Sequence, residues 1–177
     1  MSLKQSVSKH GNRATDALKT ELKQLLDQQV FQYVLSTNSK QPLRSITVFA
    51  DKFNTVGDLV QVKVRLVADG SSQNLELWER SSPTASLLST KLILKAAAAN
   101  QEDIKVFDIK GAYLHAKMDT EIYLRFNADI TEQLRVLDPS CLAFVQKDGS
   151  LNVRLLKALY GYEQSGRLWN ERLNSFL

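Results

Sequence analysis

The alternation of apolar and mostly polar side chains within residues 59–67 is the feature that most constrains the fold. One face carries Val60, Val62, Val64 and Leu66, and the other, mostly polar and basic, carries Gln61, Lys63, Arg65 and Val67. A period of two is that of a β-strand with one buried face. A second strand-like run over 45–52 precedes it, and the polar residues 54–58 between the two runs are typical of a turn. We therefore predict a β-hairpin whose outer face presents Lys63 and Arg65 together.

Helical periodicity on both sides of this hairpin makes the chain a mixture of α and β. Apolar residues recur every three or four positions over 14–33, which predicts an amphipathic helix. Ser82 followed by Pro83 predicts the start of a largely buried helix ending near Asn100. A further helix is predicted over 163–177. Short strands are predicted at 104–109 and 121–126, and a second hairpin pairs 143–146 with 151–155.

Composition favours an ordered globular chain, and the predicted elements make it an α+β protein with antiparallel hairpins packed on helices. The 177 residues are 44% apolar and 24% charged, which suffices for a core of ordinary size. We expect a domain over 14–177 preceded by a flexible leader over 1–13. The formal net charge of +4 permits a polyanionic partner without requiring one. The single Cys141 is expected to be a buried thiol, and the lack of a long apolar run predicts an intracellular protein with no membrane partner.

Asp108 is the acidic residue with the most informative setting. It lies in the short apolar run of residues 104–109, just before Gly111. From the residues alone, Asp108 is either a capping or ion-paired acid, or a group placed there for chemistry. Enzymes that transfer nucleotides hold Mg²⁺ with carboxylates at strand ends, and a single aspartate supplies only part of such a site.

Three segments, in order, resemble conserved stretches of copia-type retrotransposon reverse transcriptases. VKVRLVADGSSQ (62–73) is similar to their fingers stretch, VFDIKGAYLHAKMDTEIYLR (106–125) to a palm motif, and VRLLKALYGYEQSGRLWNERL (153–173) to a later motif built around LYG. Their order and spacing match those of the family. The resemblance implies a reverse-transcriptase fingers/palm-like fragment, the N-terminal part of an RNA-directed DNA polymerase.

The resemblance implies a role for each matching residue. Asp108 resembles the first metal-binding, catalytic aspartate, and Tyr113 resembles the aromatic residue that excludes a 2′-hydroxyl from the incoming nucleotide. The triphosphate is expected near the backbone of Ile109, Lys110, Gly111 and Ala112. Lys63 and Arg65 resemble basic residues that contact the triphosphate or template, and a solvated strand face remains the alternative. Tyr160, Gly161 and Tyr162 are expected to pack on the templating base, with core packing as the alternative for both tyrosines.

The implied cofactor is Mg²⁺, and the implied partners are an RNA or DNA primer-template, deoxynucleotides and the rest of a polyprotein. The expected location is the cytoplasm, inside a virus-like particle, or the nucleus. Two departures stand out: Glu163 occupies a position where the family usually has Lys, and the Tyr-x-Asp-Asp motif expected downstream is not among the 177 residues. The chain alone is therefore predicted not to polymerise. A non-catalytic nucleic-acid-binding remnant, a domesticated module and a gene fragment without function remain alternatives.

Overall fold

A computed structural model describes residues 3–36, 41–72 and 82–177. The described chain folds into helices packed on one mixed sheet. The helices are α1 (Leu3–His10), α2 (Asn12–Asp27), α3 (Leu87–Ala99), α4 (Ala128–Leu137) and α5 (Ser165–Asn174). The strands are β1 (Phe31–Val34), β2 (Leu43–Phe53), β3 (Leu59–Ala68), β4 (Tyr123–Phe126) and β5 (Leu151–Leu155). The predicted α+β class is confirmed.

The strands lie in the order β1-β5-β4-β2-β3. The pairs β1–β5, β4–β5 and β2–β3 are antiparallel, whereas β2 and β4 pair in parallel over two residues at the start of β2. In the described part of the chain β3 is therefore an edge strand, and α2 packs directly against it.

The core forms where α2 and α4 meet the sheet. Its fully buried side chains include Leu18, Leu22 and Leu25 of α2, Leu66 of β3, Leu124 and Phe126 of β4, and Leu134 of α4. Truncating any one of these leucines to alanine is expected to cost about 2–5 kcal/mol, because the surrounding structure fills such a cavity incompletely. This packing fixes α2 against the hairpin.

The predicted first hairpin is confirmed as β2 and β3. Asn54 organises its turn, because its side-chain oxygen accepts hydrogen bonds from the backbone of Val56 and Asp58 at 3.0 and 2.8 Å. Val62, Val64 and Leu66 face the core as the alternation predicts, whereas Val60 near the turn is 66% exposed.

The N-terminal predictions need two corrections. The helix predicted over 14–33 ends at Asp27, and the chain reverses at Gln29 with a φ of 52°, so that Phe31 begins a strand paired with β5. Within the predicted flexible leader, residues 3–10 form α1 instead. Leu3 is buried, and Lys9 and His10 both lie against Asp51 of the hairpin. The proposed division into domains stays a prediction.

The structure also contradicts the prediction for residues 104–109. They form no strand, and Val106 and Phe107 are 93% and 82% exposed. A strand needs a hydrogen-bonding neighbour, and none of the described residues provides one for this segment.

Helix α3 differs from its prediction in start and in burial. Its N-cap is Ser86, whose side chain accepts from the backbone of Ser89 at 3.0 Å, so the predicted start at Ser82 and Pro83 is wrong. Leu92 and Ile93 are 59% and 64% exposed, because none of the described elements covers this face of the helix.

Two elements in the C-terminal half differ from the prediction. Helix α4 was not predicted. The second hairpin is reduced to a bridge between Val145 and Leu151 after a short 3₁₀ helix, Pro139–Phe144. Cys141 is buried, as predicted. Among the residues that the structure describes, none of the helices has the length and apolarity needed to cross a bilayer.

Candidate functional site

A cavity of about 630 Å³ opens between α2, the hairpin and the segment that contains Asp108. It brings together side chains and backbone from four separate parts of the chain. Its walls are Glu21, Gln24, Gln28, Lys52, Lys63, Arg65, Asp108, Ile109, Lys110, Gly111, Ala112 and Tyr160. Most of the site residues predicted from the sequence therefore lie in one place.

The hairpin wall of the cavity is strongly basic. Alternation places Lys63 and Arg65 on one face of β3, and the pairing of Ala50 with Lys63 and of Lys52 with Gln61 puts Lys52 on the same side. The neighbouring guanidinium of Arg65 is the main reason that the pKa of Lys63 is lowered, with desolvation and then Lys52 contributing less. Because these cations repel one another, an anion bound between them would relieve the repulsion.

The Arg65 guanidinium has three neighbours that hold it at the cavity wall. It lies 5.1 Å from the centre of the Tyr160 ring, and its Nη1 donates to the carbonyl of Val64 at 3.3 Å. The same nitrogen lies 3.8 Å from Oε2 of Glu21. The Tyr160 ring in turn lies 5.4 Å from that of Tyr113, so the basic wall continues into an aromatic pair.

Glu21 is a site residue that the sequence reasoning missed. Its side chain is 6% exposed, and Oε1 accepts a hydrogen bond from the backbone of Leu66 at 3.2 Å. Burial raises the pKa of Glu21, while the Leu66 hydrogen bond and then Arg65 oppose that rise. The signal was present in the sequence, because Glu21 lies on the same helical face as Leu18, Leu22 and Leu25.

Gly111 shapes the wall opposite the hairpin. It adopts a left-handed conformation with φ of 63°, and a Cβ there would lie 2.9 Å from Nε2 of Gln24. The chain then enters one 3₁₀ turn, Ala112–His115, which buries Leu114. A Cβ at Gly111 would force the Gln24 side-chain amide to move, and the left-handed backbone disfavours any residue with a side chain there.

Asp108 lies exposed at this cavity, and its charge acts on the Lys63 ammonium. Within residues 3–36, 41–72 and 82–177, no group of three or more His, Cys, Asp or Glu side chains is arranged to hold a metal ion. Asp108 therefore offers one carboxylate, and the described residues alone do not complete a metal site.

The turn at 159–162 separates its two tyrosines. The backbone of Ala68 donates to the carbonyl of Tyr160 at 2.8 Å, which ties this turn to β3, and the Tyr160 ring lines the cavity. Tyr162 is 3% exposed, and its hydroxyl donates to Oε1 of Gln164 at 3.1 Å. Tyr162 is therefore a core residue, which was the alternative left open for both tyrosines. Tyr160 is only partly buried and lines the cavity. Gly161 lies between them on the surface.

A larger cavity of about 750 Å³ lies between α5 and residues 109–117. Ile109 is the one predicted site residue that lines it, and its other wall includes the apolar side chains Trp169 and Leu173 of α5 and Phe176 just after that helix. Asp108 and the hairpin cations line the 630 Å³ cavity instead. We therefore take the smaller, basic cavity as the candidate site.

The model of the family described as reverse transcriptase (RNA-dependent DNA polymerase) matches residues 28–177. The chain belongs to this family. It is 28% identical over 168 residues to the retrovirus-related Pol polyprotein from transposon TNT 1-94 of Nicotiana tabacum, a match over 94% of this chain and 12% of that polyprotein. It is 32% identical over 133 residues to the Pol polyprotein from transposon RE2 of Arabidopsis thaliana, over 73% of this chain and 8% of that one.

The transposon Ty1-BL Gag-Pol polyprotein of Saccharomyces cerevisiae is 32% identical over 117 residues, which is 65% of this chain and 6% of the polyprotein. The resemblance to copia-type reverse transcriptases is thereby confirmed, and the chain is a reverse-transcriptase fragment of a copia-type polyprotein. It spans between 6% and 12% of the length of these relatives. No solved structure matches the chain significantly.

Proposed function

We propose that residues 14–177 form the fingers and part of the palm of this reverse transcriptase, and that the 630 Å³ cavity receives the triphosphate of an incoming deoxynucleotide. RNA-directed DNA synthesis by the parent polyprotein is the reaction it serves. The observation that carries the proposal is the convergence of Lys52, Lys63 and Arg65 with Asp108 and the backbone of residues 109–112.

The charge balance of the cavity favours a triphosphate. Four cations line it, Lys52, Lys63, Arg65 and Lys110, against the two acids Glu21 and Asp108. Each cation within about 5 Å of a phosphate oxygen contributes roughly 3 kcal/mol of attraction at the effective dielectric constant of a protein surface. Gly111 lets the backbone approach the anion closely.

Asp108 is proposed as one ligand of a divalent metal ion, and Mg²⁺ is the ion we expect. When bound, such an ion neutralises charge on the transferring phosphoryl group. Phosphate oxygens and acids from elsewhere in the polyprotein would complete its coordination. Because Asp108 is the exposed carboxylate at this cavity and the described residues hold no group of three metal-binding side chains, we expect DNA synthesis only from a polyprotein segment that contributes the other ligands.

Tyr113 and Tyr160 are proposed to shape the nucleoside side of the pocket. Tyr113 is half-buried against the Tyr160 ring, which limits how far it can move away from an incoming sugar. Bulk at that point would exclude a 2′-hydroxyl and select deoxynucleotides. The Tyr160 ring offers a face on which a base can stack.

The test is the affinity of the 177-residue chain for dTTP, measured by isothermal titration calorimetry on the native chain and on Lys63→Ala and Arg65→Ala. Each substitution should weaken binding about tenfold or more, since a hydrogen bond to a charged group contributes roughly 1.5–3 kcal/mol. Lys23→Ala is the control, because Lys23 is exposed on α2 and paired with Asp27. Unchanged affinity in both cavity variants contradicts the proposal. A loss of affinity for a single-stranded oligonucleotide but not for dTTP favours the non-catalytic nucleic-acid-binding module instead.

A further inference from the structure

Glu21 reaches the candidate site from a helix that precedes the family match. That match begins at residue 28, whereas α2 spans Asn12–Asp27. The Glu21 carboxylate nevertheless makes two contacts with the hairpin, accepting the Leu66 backbone hydrogen at 3.2 Å and lying 3.8 Å from Nη1 of Arg65. Since β3 is an edge strand in the described chain, the Leu66 contact attaches α2 to an edge that would otherwise face solvent.

We propose that Glu21 is a positioning residue, which orients the Arg65 guanidinium toward a bound triphosphate and makes α2 part of the nucleotide site. This inference rests on the function proposed above. Arg65 is the hairpin cation held on several sides, by Glu21, by the Val64 carbonyl and by the Tyr160 ring. A guanidinium fixed in this way loses less conformational freedom when it binds phosphate than a freely rotating one does.

Positioning and simple electrostatics predict opposite results, which makes the role of Glu21 testable. Glu21 is an anion beside a cavity proposed to bind an anion. If it acted only through its charge, neutralising it would strengthen dTTP binding. If it positions Arg65, neutralising it weakens dTTP binding even though the cavity becomes more positive.

The experiment compares Glu21→Gln with the native chain. Glutamine keeps an oxygen that can accept the Leu66 hydrogen bond but removes the ion pair with Arg65. We expect dTTP binding to weaken roughly three- to tenfold, the equivalent of ordering one arginine side chain on binding. The ¹⁵N heteronuclear NOE of the Arg65 Nε–Hε group, measured without nucleotide, should fall. Asp27→Asn on the same helix, exposed and outside the cavity, should change neither quantity.

A double-mutant cycle separates positioning from a general effect on folding. In an Arg65→Ala background, Glu21→Gln should no longer weaken dTTP binding, whereas damage to the docking of α2 would weaken it equally in both backgrounds. If Glu21→Gln does not fold, Arg65→Lys in the native chain provides the second test. It keeps the charge but removes the planar guanidinium whose Nη1 faces both Glu21 and the Val64 carbonyl, and the same three- to tenfold loss is expected.

Equal or tighter dTTP binding by Glu21→Gln, with an unchanged Arg65 NOE, overturns the inference. So does an unchanged affinity of Arg65→Lys, where that variant is the one measured. Failure of the proposed function looks different: Arg65→Ala would then bind dTTP as the native chain does. In that case the NOE still decides whether Glu21 orders Arg65.

Discussion

Replacing Gly161 by alanine should destabilise the fold by more than its left-handed backbone alone accounts for. Gly161 has φ of 79°, and a Cβ there would lie 2.3 Å from both the Ala68 carbonyl oxygen and Cγ1 of Val67. A side chain in the left-handed region costs about 1–2 kcal/mol, and forcing extra volume into a packed contact costs about 1–3 kcal/mol. We therefore expect a loss of about 2–5 kcal/mol in the free energy of unfolding.

Gly57→Ala is the matched control. Gly57 also has a positive φ, of 97°, but a Cβ there would meet nothing within 4 Å, so its cost should stay at about 1–2 kcal/mol. Urea unfolding followed by tryptophan fluorescence measures both variants. The Ala68 backbone donates to the Tyr160 carbonyl, so a displaced turn should also weaken dTTP binding at the adjacent cavity. If Gly161→Ala costs no more than Gly57→Ala, the close packing of this turn on β3 is refuted.

Three further predictions concern parts of the fold outside the cavity. Hydrogen bonds from Ser140 and, to a lesser extent, from Tyr33 hold the pKa of Asp138 below its ordinary value of 3.8. The ionised Asp138 therefore stabilises the folded protein at neutral pH, and this stabilisation is lost as the pH falls through the lowered pKa. Tyr33→Phe should cost about 0.5–1.5 kcal/mol at pH 7, because solvent screens this partly exposed hydrogen bond. Urea unfolding of both proteins should show the difference in stability narrowing below about pH 4, and an equal difference in acid contradicts the account. Ser86→Ala removes the N-cap of α3 and should speed amide hydrogen exchange across that helix by the equivalent of about 1 kcal/mol. Ser82→Ala should leave the exchange rates unchanged. The reverse result would mean that α3 begins at Ser82, as the sequence predicted. Leu92→Lys on the exposed face of α3 should change the free energy of unfolding by less than about 0.5 kcal/mol, and a loss of several kcal/mol would mean that this face is buried.

The hairpin and the late helix could be predicted because local chemistry determines them. Alternation over β3 and a turn that Asn54 organises are both visible in the sequence. Other elements depend on distant partners. Phe31 continues the helical spacing of α2, yet it lies in a strand because β5, more than a hundred residues later, pairs with it. Residues 104–109 have the composition of a strand but no described strand beside them.

The candidate site shows the same division between local and distant information. Motif resemblance identified Lys63, Arg65 and Asp108, which the fold brings to one cavity. Lys52 and Glu21 were missed, because their place depends on strand register and on how α2 docks. The two tyrosines of the LYGY segment could not be told apart either, since only the packing of Tyr162 against Thr120 and Gln164 shows that it is in the core.

The most direct test of the central claim is RNA-templated primer extension by a polyprotein segment that contains this chain and the downstream acids. Asp108→Asn should abolish DNA synthesis, because it removes a carboxylate proposed to bind metal at the triphosphate cavity. Asp103→Asn, an equal charge change at an exposed acid outside the cavity, should leave synthesis intact. Synthesis by Asp108→Asn at the native rate would contradict the assignment of this cavity as the polymerase nucleotide site.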